Sequence, residues 1–337
     1  MKKTILALTI PALFATSASA VEIYSAEDGS KVDFYGRVQY DAGELKHQVA
    51  DSTKAENFGG AGSARLGTNV QYTLNNDVDL IGKLEWQVTA EGADDTKTSD
   101  IDARYAWAGF RFMDTTDLTF GRSQDPMAQA LYLTDVFNIF GGAVAYGDAI
   151  GGVSDKTDDQ MRVSYAANGV DLRAAYAFAD ADKQDDNAGK ENQWSASAGY
   201  TFPFGLGLVA AYEQESFGNG ADMDAWIVGA SYYVDGLYVA GIYTEREKDV
   251  VGGGKDESEG YELVATYTVD AWTLLAEYSN EEFDAASSST NEDTIDLVTL
   301  GVQYKFNPNT KVYAEYLIND NDANDDDLYG MGIQYNF

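Results

Sequence analysis

The chain of 337 residues contains no cysteine, one histidine and four prolines. Without cysteine there is no disulfide framework, zinc–thiolate site or thiol chemistry, so stability has to come from packing and hydrogen bonding. The single histidine, His47, sits in the loop-like stretch Lys46-His47-Gln48 with no serine partner in the local sequence. A nucleophile–base pair or a histidine-rich zinc site is therefore unsupported. Basic residues are few as well: 22 Lys+Arg stand against 56 Asp+Glu, a formal charge of −34, which argues against nucleic acid as a partner. Long apolar runs are also missing. No stretch approaches the 18 or so apolar residues that a helical membrane span needs, so any insertion into a bilayer has to be by strands.

The first twenty residues have the features of a secretory signal. Lys2 and Lys3 form a basic start, Thr4 to Ala15 is mostly apolar, and Ala18-Ser19-Ala20 fits the small-residue cleavage rule. The mature chain is expected to begin at Val21. Removing residues 1–20 takes away two lysines and no acid, so the formal charge of −34 becomes −36.

The chain has 23 Tyr and 33 Gly, and although 45% of it is hydrophobic its mean hydropathy is −0.33. Such a mixture suits alternating strands with polar loops. In Leu328 to Phe337, Tyr329, Met331, Ile333, Tyr335 and Phe337 fall on one face and Gly330, Gly332, Gln334 and Asn336 on the other, a period of two rather than 3.6. The same alternation predicts seven full strands from Phe34–Leu45, Ser63–Leu74, Val78–Ala90, Ile101–Phe112, Asp117–Ser123, Gln160–Ala167 and Val170–Ala179. It continues through Gln193–Phe204, Leu206–Glu215, Asp224–Val234, Gly236–Glu247, Tyr261–Val269, Ala271–Phe283, Ile295–Phe306 and Thr310–Ile318. With the terminal segment the total is sixteen. Many are about ten residues long, enough for a tilted strand to cross the hydrocarbon layer. Tight connections such as Asn168-Gly169 and Asp235-Gly236 interleave with long acidic ones such as Asp180 to Asn192, which sends short turns to one side and long loops to the other.

A soluble β-sandwich also alternates, but its apolar face points inward. Here the polar face carries charge in mid-strand, at Arg37, Arg65, Lys83, Glu85, Arg104, Arg162, Arg173, Glu277 and Lys305, a set that a dry core holds only at high cost. On a lipid face one midplane Arg or Lys would cost roughly 2–4 kcal/mol, so the charged face is read as the lumen. Aromatics on the other parity, Trp86, Trp107, Trp194, Trp226, Trp272, Tyr200, Tyr267 and Tyr304, suit two interfacial girdles. The fold expected is an all-β, transmembrane, antiparallel up-and-down barrel of sixteen strands. The run Asn319 to Asp327 is rich in Asp and Asn but lacks the Gly and Glu of an EF-hand loop, so it is read as a solvated loop and no metal or other cofactor is expected.

Several segments carry a family likeness. Val21-Glu22-Ile23-Tyr24 with Val32 to Arg37, then Ala64-Arg65-Leu66-Gly67, and the ending Gln334-Tyr335-Asn336-Phe337 resemble the opening strands and C-terminus of the trimeric general porins of Gram-negative outer membranes. The resemblance implies one barrel domain over residues 21–337, a homotrimer in the outer membrane, and passive diffusion of small hydrophilic solutes with no catalysis. It also implies contact with outer-membrane lipid and lipopolysaccharide, and Tyr335 and Phe337 as a signal read by the barrel-assembly machinery. Residues 124–157 resemble loop 3, which in the family folds into the lumen and narrows it. By that resemblance Asp135 faces wall cations Arg37, Arg65 and Arg104, with Arg162 or Lys156 as a fourth. The local alternative for Asp135 is a helix cap. Where the family has Pro-Glu-Phe-Gly-Gly this chain has Asn138-Ile139-Phe140-Gly141-Gly142, so one constriction carboxylate is missing. Asp148, Asp155, Asp158 and Asp159 are candidates to replace it. Glu91-Gly92-Ala93-Asp94 resembles the latching loop 2, whose glutamate reaches a neighbouring subunit, with Arg122 as the candidate partner; locally, Glu91 also reads as a solvated loop acid. The excess of acid points to weak cation selectivity.

Overall fold

The computed structural model describes residues 20–45, 58–89, 101–147, 153, 155–179, 189–286, 292–321 and 327–337. Its first elements are β1 (Val21–Ser25), β2 (Lys31–Glu44), β3 (Gly59–Asn75), β4 (Val78–Thr89), β5 (Ile101–Phe112), β6 (Thr116–Gln124), a short helix α1 (Ala128–Leu131), and β7 (Lys156–Thr157). The chain continues through β8 (Gln160–Ala167), β9 (Val170–Ala177), β10 (Lys190–Thr201), β11 (Leu206–Phe217), β12 (Asp222–Val234) and β13 (Leu237–Asp249). It ends with β14 (Lys255–Val269), β15 (Trp272–Asp284), β16 (Glu292–Asn307), β17 (Thr310–Asn319) and β18 (Leu328–Asn336). Sixteen of these, all but β1 and β7, form a closed antiparallel barrel. Each predicted strand is found, with ends that differ by a few residues.

Closure is made by β18 against β2, from Tyr329 opposite Glu44 to Asn336 opposite Arg37. β1 continues that edge, with Val21 opposite Phe34, and Gly36 and Phe337 exchange backbone hydrogen bonds of 2.8 and 3.0 Å. A methyl group on Gly36 would come within 2.3 Å of the Phe337 ring, so this glycine lets the terminal aromatic lie across the seam. The closed ladder answers a simple constraint: in hydrocarbon each backbone polar group without a partner costs several kcal/mol.

The tight turns follow their sequences. Asn168-Gly169 and Asp235-Gly236 take positive φ at both positions, the conformation that two-residue hairpins with right-handed strand twist require. Outside the barrel, apolar side chains such as Leu263, Leu274 and Met331 are more than half exposed, as a lipid face requires. Near the strand ends aromatic rings pack against each other across strands, including Trp194 with Tyr212 at 5.0 Å and Trp272 with Tyr304 at 4.7 Å between centroids, both tilted.

The packed core lies inside the barrel. Residues of the segment between β6 and β8, including Met127, Leu131, Leu133, Phe137 and Ala145, are buried against Val209, Ile227, Ile242, Val264 and Leu275 on the inner faces of β11 to β15. Truncating one such leucine to alanine costs about 2–5 kcal/mol. A second cluster joins Ile139 and Phe140 to Leu45, Leu297, Tyr313, Leu317 and Leu328. The segment therefore covers one side of the lumen and leaves the other open. Glu277, expected on a wet face, is 3% exposed beneath this segment.

One side-chain direction differs from expectation. The β4–β5 register slips by one residue between Glu85 and Trp86, opposite Tyr105 and Ala103, leaving Arg104 as the extra residue. A bulge of this kind reverses the parity of every later residue in the strand. Arg104, Tyr105 and Trp107 all line the lumen, so Trp107 is not part of a lipid-facing girdle. With the other four tryptophans replaced by phenylalanine, Trp107 fluorescence should be quenched by aqueous iodide and spared by brominated lipid. Quenching by the lipid alone would place it outside.

Candidate functional site

The open part of the lumen is a cavity of about 1340 Å³ between the wall of β2 to β5 and the internal segment. Seven cationic side chains line it, Arg37, Arg65, Lys83, Arg104, Arg162, Lys305 and Lys311, against four carboxylates, Asp41, Glu85, Asp135 and Asp155. Strand alternation places most of the wall set. Arg37 and Arg65 are direct cross-strand partners, and the bulge adds Arg104 beside them.

These cations are held in different ways. Arg65 Nε donates to Gln87 Oε1 at 2.8 Å, and Arg104 Nη1 reaches the same oxygen at 3.4 Å. Arg104 Nε donates to Glu85 Oε1 at 2.8 Å, and Lys83 Nζ lies 3.8 Å from Glu85 Oε2. The Tyr35 hydroxyl donates to Glu85 at 2.6 Å. Glu85 thus sits inside the cationic row and offsets part of its charge, whereas Arg37 Nε is buried with no hydrogen-bond partner. Arg162 lies at the root of the segment and donates to the Gln124 carbonyl at 2.9 Å, apart from the other three arginines.

The facing segment is fixed by a carboxylate on the opposite wall. Glu315 of β17 accepts from the backbone N–H groups of Asn138 at 2.7 Å, Ile139 at 2.9 Å and Phe140 at 3.1 Å, and from Asn138 Nδ2 at 2.9 Å. Hydrogen bonds to a charged group contribute about 1.5–3 kcal/mol each, so this tip is held firmly. Ile139 is buried in the apolar cluster beside it and offers no charge to the lumen.

Asp135 lines the cavity and accepts a hydrogen bond from the Tyr146 hydroxyl at 2.9 Å. It does not cap α1, whose N-cap is Met127; Asp125 precedes that helix and accepts from the Met127 N–H at 2.9 Å. Burial lifts the Asp135 carboxyl above its ordinary value of 3.8, with the Tyr146 bond pulling the other way. Asp155 also lines the cavity and accepts from the Tyr132 hydroxyl at 2.9 Å. Burial alone would raise its carboxyl, but the adjacent Lys156 holds it below the usual range. Burial and then Arg104 bring the Lys156 ammonium down to about 8. Of the other candidates, Asp158 pairs with Arg122 at 2.9 Å, and Asp148 lies outside the described residues, as do Glu91 and His47.

Two contributors were within reach of the sequence: Glu85, expected on the lumen face but without a part in the constriction, and Glu315, not among the expected residues. Glu85 and Glu315 are mid-strand acids on the lumen parity, and that parity was readable, although the partner of Glu315 was not. The Asp155–Lys156 pair follows from the path of a long connection, which periodicity does not encode. Among the described residues no group of three or more His, Asp or Glu side chains is arranged to hold a metal ion.

The profile of the Gram-negative porin family matches residues 7–324. Outer membrane porin F of Escherichia coli K12 is 28% identical over 374 residues, with the whole of both chains covered. Outer membrane porin N of the same strain is 26% identical, again over the full length of both. Among solved structures, Salmonella typhi OmpF in complex with daunomycin superposes with a TM-score of 0.80 at 22% identity, covering 94% of this chain and all of that one. An anion-selective porin from Comamonas acidovorans gives 0.75 at 18% identity, covering 91% of this chain and all of that one.

Because burial raises the Asp135 carboxyl, acidification should neutralise it at a higher pH than a solvated aspartate, removing one negative charge from the lumen. Any cation preference should then step down on the neutral side of 3.8, read as a shift in reversal potential. The Asp135→Asn variant should lack that step; a variant that keeps it would assign the titration to another group.

Proposed function

The chain belongs to the Gram-negative porin family of the outer membrane, and from that premise we propose that it works as a general diffusion pore constricted by residues 124–157. The observation that carries this reading is the open cavity beside the internal segment, lined by charge on both sides within a closed barrel. No bond is made or broken. The pore removes the barrier that lipid presents to small polar solutes by holding a polar path through it. Arg37, Arg65 and Arg104 supply the cationic side of the constriction, Asp135 the acidic side, and Arg162 the edge near the root of the segment.

Residues 1–20 serve as a removable signal in this reading, and Val21 to Phe337 form one domain. The assembly is a homotrimer, a reading supported by the Vibrio cholerae OmpT structure described as a trimer form, which superposes with a TM-score of 0.72 at 22% identity. In this reading Arg122, one-third exposed on the outer face and paired with Asp158, exchanges that partner for Glu91 of a neighbour. The exposed aromatic belts suit lipid and lipopolysaccharide, and Tyr335 with Phe337 forms the signal for barrel assembly.

Weak cation selectivity follows from the formal charge, −36 without residues 1–20. Most of it comes from the mouths, because cationic side chains outnumber carboxylates in the lining, and Asp135 adds to it at the constriction. Fields from exposed loops are screened over about 8–10 Å at physiological salt, so the preference should be clear in dilute potassium chloride and fade as salt rises. Reversal potentials in planar bilayers test this, and a preference for chloride in dilute salt would overturn it. Large conductance steps that close in threes are expected from the mature protein. A correctly folded barrel that does not conduct would refute the pore itself.

A further inference from the structure

Glu315 holds the tip of the internal segment, but the limb that returns from the tip, Gly142 to Gly147, is held by a different device. Arg246 of β13 is fully buried and pairs with the buried Glu281 of β15 at 3.1 Å. Its Nη1 donates to the Gly147 carbonyl at 2.9 Å, and its Nη2 to the carbonyls of Val144 and, at 3.5 Å, Ala145. From the neighbouring strand, Glu262 accepts the Val144 N–H at 3.0 Å. The limb lies hard against these groups. A methyl on Gly147 would come 2.4 Å from Glu281 Oε2 and 2.6 Å from Arg246 Nη1, and one on Gly260 would come 2.8 Å from Val144 Cγ1. An arginine inside a membrane barrel, away from water and serving three carbonyls of one loop, has no part in lining the path for solutes. It is costly to bury and makes sense only through what it fixes.

The fixed limb carries Tyr146, whose hydroxyl donates to Asp135. A continuous set of contacts therefore runs from Glu281 through Arg246 and the limb to the acidic side of the constriction. We propose that Arg246, clamped by Glu281, is a positioning residue that sets the width and charge selectivity of the pore by locking this limb, and with it Asp135, against the wall. The inference deepens the porin reading and rests on it. It assigns selectivity in part to a residue that no solute touches.

The test compares the parent with Arg246→Met/Glu281→Gln, which removes both buried charges together, and with Gly147→Ala, which disturbs the clamp from the loop side and leaves every strand unchanged. Heat-modifiable mobility on SDS gels establishes that each barrel is closed. Expected is loss of the steady open level in single-channel records, replaced by flicker between levels, with loss of amide-exchange protection at Val144, Tyr146 and Gly147. Tyr146→Phe should keep the steady level and shift the reversal potential toward that of Asp135→Asn. Arg246→Lys, able to serve fewer carbonyls, should restore part of the steady level. Closed barrels of both clamp variants with the parent's open level, reversal potential and exchange protection would overturn the proposal. Should the double variant fail to close, Gly147→Ala decides alone. A parent barrel that does not conduct would sink the porin reading, whereas conducting variants identical to the parent would sink only this inference.

Discussion

Everything in this molecule depends on the pairing of β18 with β2. A sheet in hydrocarbon has no solvent to satisfy its edges, so the ladder must close or the fold does not exist. Closure fixes an inside and an outside, and each strand then has one parity for lipid and one for the lumen. The details at the seam serve the same end: Gly36 leaves space for the Phe337 ring, and β1 extends the edge on which β18 stops. Once the wall is closed, a connection as long as that between β6 and β8 can go inward, and the inner faces of β11 to β15 supply apolar surface for it to cover.

Function then arises from asymmetry. A bare barrel of this size would be a wide tube. The internal segment fills one side with a dry core and pushes the path for water against β2 to β5, where Arg37, Arg65, Lys83 and Arg104 project. The path is bounded by charge that the wall itself moderates through Glu85. Ile139 turns into the apolar cluster and brings no charge to the path. The carboxylates on the segment's side of the cavity are Asp135, anchored by Tyr146, and Asp155, anchored by Tyr132.

The strands and their sidedness were legible in the sequence because a period of two is a local property that lipid and water enforce at every step. Ile101–Phe112 and Gln160–Ala167 were read with the ends they have. Trp107 was misplaced because one extra residue at Arg104 reverses the count, and a bulge leaves little trace in composition. Arg104 itself was assigned to the lumen, where it lies as the bulged residue. The location of Asp135 in the cavity came from resemblance. Its partner Tyr146 and the tip's partner Glu315 depend on how thirty residues of loop fold back, and no periodicity reports that. The apolar inner faces of β11 to β13 were not anticipated, because every strand was read with a polar lumen side; their reason lies in the segment that covers them.

Those strands, apolar on both faces, have a consequence for how the chain finds its register. A strand with one polar face is corrected when it slips by a residue, since the slip would put polar groups in lipid. Around Val209, Ile227 and Ile242 a slip would exchange one apolar set for another and meet little resistance. The buried Glu213 and Arg246 lie on these strands, and the buried Glu262 and Glu277 on the next two, β14 and β15. A one-residue shift would turn each of them to the outer face and leave its partners inside the barrel unpaired, a cost that an exchange of apolar side chains does not carry. Groups that are awkward to bury in the finished barrel thereby act as index marks during its assembly, penalising misaligned hairpins where hydrophobicity alone does not distinguish them.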